Sequence, residues 1–298
     1  MTATPPDALP VDPDPAVPRR RFDVSVAGHR VVAEWLTPPG TDGDPAGPPL
    51  VFLHEGLGSI SQWSKPPRDG RPELDVPAAL ATATGRRALV WERLGFGGSD
   101  PLPAERGPDY LHDEAERSMP AVLAAAGIGR CLPVGHSDGA TIALLFAAAF
   151  PERVEAVVSE AAHVIVEPET LAGIRAARTA FHAPDGKLRR ALARHHGAKT
   201  DATFSGWADV WLRPDFAAFD MTGRLPRIAC PVLALQGDAD EYATPRQLDL
   251  IRSGVAGPCR TWLVPGCRHV PHFQAAETVL PAIARFIAGG IRAAQAAG

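Results

Sequence analysis

The sequence contains little cysteine, with four residues in a chain of 298 and no C-x-x-C pair. Such sparse use is typical of a reducing compartment, whereas a disulfide scaffold needs many paired cysteines in a short chain. We therefore expect free thiols at every cysteine position, namely Cys131, Cys230, Cys259 and Cys267.

Long apolar runs are absent as well. A helix needs about 18 apolar residues to cross a bilayer, and the nearest stretch, residues 140–150, is too short. The N-terminus has neither the basic start nor the apolar stretch of a secretory signal. We therefore predict a soluble, cytoplasmic protein with no membrane partner.

Charge of one sign does not dominate the sequence. The formal net charge is −4, and acidic and basic residues are interspersed along the chain. A protein that binds nucleic acid presents a basic face to the phosphates, and no such face is visible here. The expected partner is accordingly a small-molecule substrate rather than a nucleic acid.

The apolar residues alternate between short runs and helical patterns. Runs at residues 22–26 and 31–36 flank a turn with Gly28 and predict a hairpin. Further strands are predicted at residues 50–53, 88–91, 131–134, 154–158, 231–235 and 261–264, and helices at 110–126, 139–150, 245–253 and 274–289. This alternation favours a mostly parallel sheet with helices on both faces.

Two segments fall outside the alternation. Residues 1–20 are rich in proline and aspartate, which predicts a disordered leader. Residues 165–226 are helical in pattern and contain no apolar strand run, so we interpret them as an inserted helical lid. The core then comprises residues 21–164 and 227–298, and an exposed face of the lid could serve a homodimer.

A G-x-S-x-G motif stands at residues 135–139 between an apolar strand and an apolar helix. This setting is typical of a nucleophile elbow, in which flanking glycines permit a sharp turn that exposes the serine. The turn also places the Ser137 hydroxyl beside a helix N-terminus, which favours a developing oxyanion. Ser137 is therefore the predicted nucleophile, and the alternative is a simple Gly-Ser turn that caps the helix.

A nucleophilic serine needs a histidine base, and the histidine needs an orienting carboxylate. In elbow-type folds these residues follow the serine in the order acid, then histidine. We predict Asp240 as the acid, with Asp238 as the alternative, because the fourth place of a G-x-x-D loop is expected to reach the histidine. We predict His269 as the base rather than His272, which begins the last helix.

The loop after the strand at 50–53 reads His-Glu-Gly-Leu-Gly-Ser. In this position an elbow-type fold supplies a second oxyanion donor beside the N–H of the residue after the nucleophile, Asp138. We nominate the Gly56 N–H, with Leu57 as the alternative donor or as a substrate contact. Glu55 stands where many such loops have glycine; it forms a local salt bridge or faces the pocket, and we favour the salt bridge.

The predicted lid carries aromatic residues and arginines. Trp207 and Trp211 are the lid residues that we propose as substrate contacts, although packing against the core is the expected role of most lid aromatics. The aromatic set is Phe204, Trp207, Trp211, Phe216 and Phe219. We interpret the lid arginines as a solvated helix face.

No cofactor or metal is expected. His269 and His272, and the pair His195 and His196, lack a helical H-E-x-x-H context and a third ligand at fixed spacing. The glycines at residues 95–98 lack the G-x-G-x-x-G spacing of a dinucleotide loop.

With these motifs in order, residues 22–291 resemble the α/β-hydrolase superfamily, in the cap-bearing branch of carboxylesterases, proline iminopeptidases and meta-cleavage-product hydrolases. Residues 91–100 look like the R-G-x-G-x-S loop of that family. The resemblance implies a mostly parallel eight-stranded α/β sheet with a helical lid that shapes the pocket. It also implies the triad of Ser137, Asp240 and His269.

The expected activity is hydrolysis of a small-molecule ester through an acyl-enzyme. Cleavage of a C–C bond or an amide uses the same triad and is the alternative, and a ligand-binding protein on the same fold is the alternative of another class. Asp138 departs from the small or apolar residue common beside the nucleophile. Its charge would slow acylation unless solvent or an arginine offsets it.

Overall fold

In the computed structural model, residues 17–39, 46–67 and 73–290 are described. Eight strands form one sheet in the spatial order β1-β2-β6-β3-β7-β8-β9-β10, and β4 pairs with β5 apart from it. The strands are β1 Arg19–Val26, β2 His29–Leu36, β3 Leu50–Leu53, β4 Ser64–Lys65, β5 Leu74–Asp75, β6 Ala88–Trp91, β7 Leu132–His136, β8 Val157–Glu160, β9 Val232–Gly237 and β10 Cys259–Val264. Residues 1–16, most of the predicted leader, lie outside the described residues.

The predicted mostly parallel sheet is confirmed. β1 and β2 form an antiparallel hairpin whose second strand pairs antiparallel with β6. From β6 across to β10 every neighbouring pair is parallel. The carboxyl ends of β3, β6, β7, β8, β9 and β10 therefore share one edge, which is where open α/β sheets place their sites.

Helices cover both faces of the sheet. They are α1 Val76–Thr84, α2 Tyr110–Asp113, α3 Met119–Ala125, α4 Asp138–Ala149, α5 Pro168–Phe181, α6 Lys187–His196, α7 Thr200–Trp211, α8 Arg246–Gly254, α9 Pro271–Gln274 and α10 Ala276–Arg285. The central strands β3 and β7 are buried along their whole length, as expected for strands covered on both sides. None of the helices in the described part of the chain is long and apolar enough to span a membrane.

Some element boundaries differ from the prediction. The strand expected at residues 154–158 begins at Val157, and Val154 forms an isolated bridge to Cys131 instead. The run has four apolar residues around Glu155, so its composition did not show where pairing with β9 would begin. The sequence pattern also missed α1, although Asp75 caps its first turn and Gly85 ends it in the left-handed conformation.

The segment of residues 165–226 contains α5, α6 and α7, two short 3₁₀ helices and most of a third, Thr222–Arg227. Its start is held to the core by Gln247 of α8, whose Oε1 accepts from the N–H groups of Val164 and Ile165 at 2.8 and 3.3 Å. The same side chain donates to the carboxylate of Glu167 at 2.7 Å. The helical segment therefore leaves the sheet from a fixed point at the edge that carries the motifs.

Candidate active site

Ser137 lies in the turn between β7 and α4. Its backbone has φ 55° and ψ −119°, a strained conformation for a residue with a side chain. The Ser137 N–H donates to the carbonyl of Glu160 in β8 at 2.8 Å, which ties the turn to the neighbouring strand. The strain therefore persists because the surrounding sheet and helix impose it.

The two glycines of the motif are required by close packing. A Cβ on Gly135 would lie 2.2 Å from the carbonyl oxygen of Gly139. A Cβ on Gly139 would lie 1.9 Å from the carbonyl oxygen of Leu53 in β3. Both distances are far shorter than a van der Waals contact, so neither position can carry a Cβ. The absence of these side chains allows α4 to start this close to the sheet.

The structure brings Ser137, His269 and Asp240 into one hydrogen-bonded relay. His269 Nε2 lies 2.9 Å from Ser137 Oγ. On the other side of the ring, His269 Nδ1 lies 2.9 and 3.0 Å from the two carboxylate oxygens of Asp240. A base in contact with both a serine and a buried carboxylate can take the serine proton and hold the resulting charge.

The alternative residues lie elsewhere. The Asp238 carboxylate accepts the Gly266 N–H at 2.9 Å and so braces the loop that carries the histidine. His272 is buried, and its Nδ1 and backbone N–H both contact Glu160 Oε1, at 2.9 and 3.0 Å. In this geometry Asp238 and His272 support the site and do not contact the serine.

The pKa values of the relay reflect its ion pair. Burial alone lowers the pKa of His269, but the hydrogen bond and charge of Asp240 outweigh it, so the pKa is raised above 6.5. Burial raises the pKa of Asp240, but its bond to His269 outweighs that effect and the pKa is lowered. Asp240 thus stays ionised and makes His269 a stronger base.

Of the proposed oxyanion donors, Asp138 directly follows Ser137, whereas Gly56 and Leu57 lie in the loop after β3. Asp138 is the first residue of α4, so its N–H has no carbonyl partner inside the helix. The Leu57 N–H already donates to Glu55 Oε2 at 3.0 Å. Of the two alternatives in the loop after β3, Gly56 is therefore the better second donor.

The Asp138 side chain is turned into the protein. Tyr110 Oη donates to Asp138 Oδ2 at 2.8 Å, and Arg93 Nη1 approaches the same oxygen at 3.3 Å. Arg93 and Asp138 are both 1% exposed, so the pair is shielded from water and salt. An arginine thus offsets the negative charge that the sequence placed beside the nucleophile.

The sequence pattern did not mark Arg93, Tyr110 or His163 as site residues. Arg93 is the second residue after β6, at the carboxyl edge of the sheet, a position that could have marked it. Buried His163 packs its ring 6.0 Å from that of His269. No local pattern marks Tyr110, because its role depends on contact between α2 and α4.

His54 holds the loop after β3. Its Nε2 accepts the Arg93 N–H at 3.1 Å, which leaves the ring proton on Nδ1 to donate to the Glu55 carbonyl at 2.8 Å. Burial lowers the pKa of His54 well below 6.5, so the ring is neutral. His54 therefore acts as a structural brace for the Glu55–Gly56 turn.

A cavity of about 510 Å³ opens above Ser137. The loop after β3, the Ser137 turn and the helical segment all contribute to its walls. The wall residues include Glu55, Leu57, Ser137, His163, Ile174, Leu192, Trp207, Trp211, Tyr242 and His269. A space of this size, largely apolar with a few convergent polar groups, suits a small organic ligand.

The aromatic residues of the helical segment divide into two groups. Trp207 and Trp211 line the cavity, and Trp207 packs against Gly56, where an added Cβ would lie 2.1 Å from the indole Nε1. Phe204 stacks on Phe181 with ring centroids 3.9 Å apart and is buried away from the cavity. Phe216 is likewise buried, with its ring 4.8 Å from that of Trp211.

The favoured prediction for Glu55, a local salt bridge, was wrong. Its carboxylate makes no salt bridge among the described residues, accepts the Leu57 N–H and lines the cavity. The expected local partner is missing because Arg93 Nη2 reaches the Glu55 carbonyl, at 2.8 Å, while Arg93 Nη1 is paired with Asp138.

His136, Glu160 and His272 form a buried group with potential metal ligands within 4.8 Å of one another. Hydrogen bonds already engage the three side chains: His136 Nε2 lies 2.8 Å from the His269 carbonyl, and His272 pairs with Glu160. Burial lowers the pKa of His136 to about 3, so the ring is neutral and donates this hydrogen. The arrangement is that of a brace under Ser137 and His269.

All four cysteines are free thiols, as predicted.

Comparison with known proteins places these features in a family. A family model described as alpha/beta hydrolase fold matches residues 48–224. The human serine hydrolase BPHL is 25% identical over 233 residues, covering 76% of this chain and 79% of the relative. The mouse sn-1-specific diacylglycerol lipase ABHD11 is 30% identical over 117 residues, covering 39% of this chain. The chain spans about a third of the length of that lipase, since the match covers 33% of it.

A solved structure agrees with the fold. The proline iminopeptidase of Mycobacterium smegmatis superposes with a TM-score of 0.66 at 23% identity and covers 92% of this chain and 100% of its own. At this identity the likeness concerns the fold alone. It extends beyond the residues matched by the family model to almost the whole chain.

Proposed function

The chain belongs to the α/β-hydrolase fold family, and on that basis we propose that it is a serine hydrolase that cleaves small-molecule carboxylic esters through an acyl-enzyme. The observation that carries the proposal is the relay in which His269 contacts Ser137 Oγ at 2.9 Å and Asp240 at 2.9 Å. Relatives named as a diacylglycerol lipase and a serine hydrolase support hydrolysis at a carbonyl.

The relay accounts for acylation in two steps. Ser137 Oγ attacks the ester carbonyl carbon while its proton passes to His269 Nε2, and Asp240 stabilises the imidazolium. The carbonyl oxygen becomes an oxyanion that the N–H groups of Asp138 and Gly56 would hold. When the C–O bond breaks, the leaving alkoxide takes the proton from His269.

Deacylation repeats these steps with water. His269 removes a proton from a water molecule that attacks the acyl carbon, and Ser137 recovers its proton as the acid leaves. The Arg93 guanidinium stays paired with Asp138 throughout. It limits the repulsion that this carboxylate would otherwise exert on each oxyanion.

We further propose that the helical segment of residues 165–226 acts as a lid. Its residues Trp207 and Trp211 form part of the cavity wall, together with Ile174 and Leu192. A lid in this position would exclude water from the acyl-enzyme and select substrates by shape. This role is compatible with ester, amide or C–C bond cleavage, which share the relay.

A fluorophosphonate probe tests the activated serine. We expect intact mass spectrometry to show one adduct on wild type and on the matched control Ser253→Ala, which removes a hydroxyl on the surface of α8. Ser137→Ala and His269→Ala should show none, because one loses the nucleophile and the other its base. Folding of each variant is checked by circular dichroism.

The outcome decides between an enzyme and a binding protein. Labelling of wild type that Ser137→Ala abolishes supports the proposal and leads to a screen of esters, amides and a vinylogous diketone. A folded wild type that takes no label, yet is thermally stabilised by a ligand, would contradict it and favour the binding-protein alternative.

A further inference from the structure

We propose that Glu55 forms a subsite for a positively charged ammonium group, so that the preferred substrates of this site are cationic esters. The inference rests on the proposed ester hydrolysis and adds the substrate class to it. It follows from the charges around the cavity, which leave one carboxylate without a cation.

The other carboxylates of the cavity wall are paired. Asp138 has Arg93 at 3.3 Å, and Glu241 has Arg268 at 3.1 Å. Glu55 lines the same cavity, and within residues 17–39, 46–67 and 73–290 no Lys, Arg or His nitrogen lies within 4.0 Å of its carboxylate. Glu55 is therefore the carboxylate of this wall that a ligand cation can still neutralise.

The hydrogen bonding of Glu55 leaves one oxygen free. Oε2 accepts the Leu57 N–H at 3.0 Å, which fixes the side chain, whereas Oε1 has no protein partner in the described part of the chain. Burial raises the pKa of Glu55, which reflects the cost of keeping this charge away from water. An ammonium group beside Oε1 would lower that cost because it restores a counter-charge.

Aromatic side chains flank this position. Trp207 packs on Gly56, the residue next to Glu55, and Trp211 and Tyr242 line the same cavity. Burial, followed by the charge of Glu55, raises the pKa of Tyr242 to about 12, so the phenol is neutral. Aromatic rings attract ammonium ions through their electron-rich faces and add to the attraction of the carboxylate.

The cationic groups that could compete for Glu55 are engaged or neutral. Lys65 Nζ lies over the Phe273 ring at 4.2 Å from its centroid. Burial lowers the pKa of His163 to about 4, and it also lowers that of His195, so both rings are neutral near pH 7. His269, whose pKa is raised, is held by the carboxylate of Asp240 at 2.9 Å. The charge balance of the resting cavity therefore favours a cation.

Two pairs of isosteric esters test the subsite. One pair is butyrylcholine and 3,3-dimethylbutyl butyrate, which differ in charge on the alcohol side. The other is the p-nitrophenyl esters of 4-(trimethylammonio)butyrate and 5,5-dimethylhexanoate, which differ in charge on the acyl side. We expect wild type to prefer the cationic member of at least one pair by about tenfold or more in kcat/KM. A preference of this size corresponds to the free energy of a desolvated cation–π contact with a nearby counter-charge.

Glu55→Gln is the informative variant, because glutamine keeps an oxygen for the Leu57 N–H and removes the charge. We expect it to lose the preference, so that the ratio of kcat/KM for the cationic ester to kcat/KM for its neutral isostere falls to about one. Asp249→Asn, which removes an exposed carboxylate of α8, is the matched control and should keep the wild-type preference.

The outcomes separate this inference from the proposed function. Equal loss on charged and neutral esters would mean that Glu55 acts on His269 and would overturn the subsite. Hydrolysis of neutral esters with no charge preference also overturns it and leaves the hydrolase proposal standing.

Binding can be measured without turnover. If neither ester pair is hydrolysed, the hydrolase proposal is at fault, and calorimetric titration with phenyltrimethylammonium still tests the subsite. Binding that is about tenfold weaker in Glu55→Gln than in wild type supports it, whereas equal binding or none contradicts it.

Discussion

Asp138, next to the nucleophile, shows how the surroundings of one side chain change its effect. A free carboxylate there would oppose the oxyanion of each tetrahedral intermediate. Here Tyr110 donates to it at 2.8 Å, and the guanidinium of Arg93 lies 3.3 Å away, with both partners buried. The same Arg93 side chain donates to the Glu55 carbonyl at 2.8 Å and so also fixes the loop of the second oxyanion donor.

At the same scale, Asp240→Asn should change both the rate and the pH profile. Wild-type activity requires neutral His269, and Asp240 raises its pKa above 6.5, so activity should fall as pH drops through a value above 6.5. Without the carboxylate the acidic limb should move to lower pH, and kcat should fall by about 10⁴-fold because the wrong tautomer is favoured.

The measurement is kcat against pH for wild type and Asp240→Asn on one neutral ester. Asp238→Asn is the matched control, since Asp238 bonds to the Gly266 N–H and does not contact His269. A larger loss in Asp238→Asn than in Asp240→Asn would contradict the assignment of the acid.

At the scale of elements, the site depends on how α4 and the helical segment leave the sheet. α4 starts within contact of β3 because Gly139 lacks a side chain. The helical segment is held by Gln247 of α8, which bonds to the backbone of Val164 and Ile165 and to the Glu167 carboxylate. Both junctions lie between elements that are far apart in sequence.

We expect Gln247→Leu to lower the free energy of unfolding by about 3 kcal/mol or more, because it leaves several buried polar groups without partners. It should also lower kcat/KM, since Trp207 and Trp211 belong to the segment that Gln247 anchors. Urea denaturation and ester kinetics measure the two effects. Arg246→Leu, an exposed neighbour on the same helix, should change the stability by less than about 0.5 kcal/mol.

At the scale of the whole molecule, several buried histidines share one pH dependence. Burial lowers the pKa of His136 to about 3 and that of His163 to about 4, and it lowers the pKa of His54 well below 6.5. Glu160 also has a lowered pKa, because its bond to His272 outweighs the effect of burial. Each of these groups binds protons more weakly in the folded chain than in the unfolded chain.

The protein should therefore lose stability as pH falls from about 6.5, where unfolded histidine begins to bind protons, toward 4. His269 and Glu55 have the opposite sign, since the raised pKa of each favours the folded state at low pH and that contribution is lost as pH rises. The groups with a lowered pKa outnumber those with a raised pKa. The free energy of unfolding should therefore decrease between pH 6.5 and pH 4.

Urea denaturation at pH 8, 6.5, 5 and 4 measures this loss. His163→Phe removes one of the buried rings that resist protonation and should make the decline shallower, by up to about 1.4 kcal/mol per pH unit. A stability that is constant or rises on acidification would contradict the neutral state of these histidines.

The sequence by itself determined the order of strands and helices and the position of the serine turn. Short apolar runs such as Leu50–Leu53 and Ala88–Trp91 are strands at the predicted residues, because a central strand must be apolar on both faces. The glycines around Ser137 predicted the turn because the packing there excludes a Cβ. These are local properties, and the residues that express them are neighbours in the chain.

The tertiary structure decided the contacts made across long separations. It brought Asp240 rather than Asp238 to His269, paired Arg93 with Asp138, and left the Glu55 carboxylate in the cavity without a cation. Each of these outcomes depends on distances of a few ångströms between side chains on different elements. Sequence spacing cannot supply those distances, because burial and charge pairing are set by the whole fold.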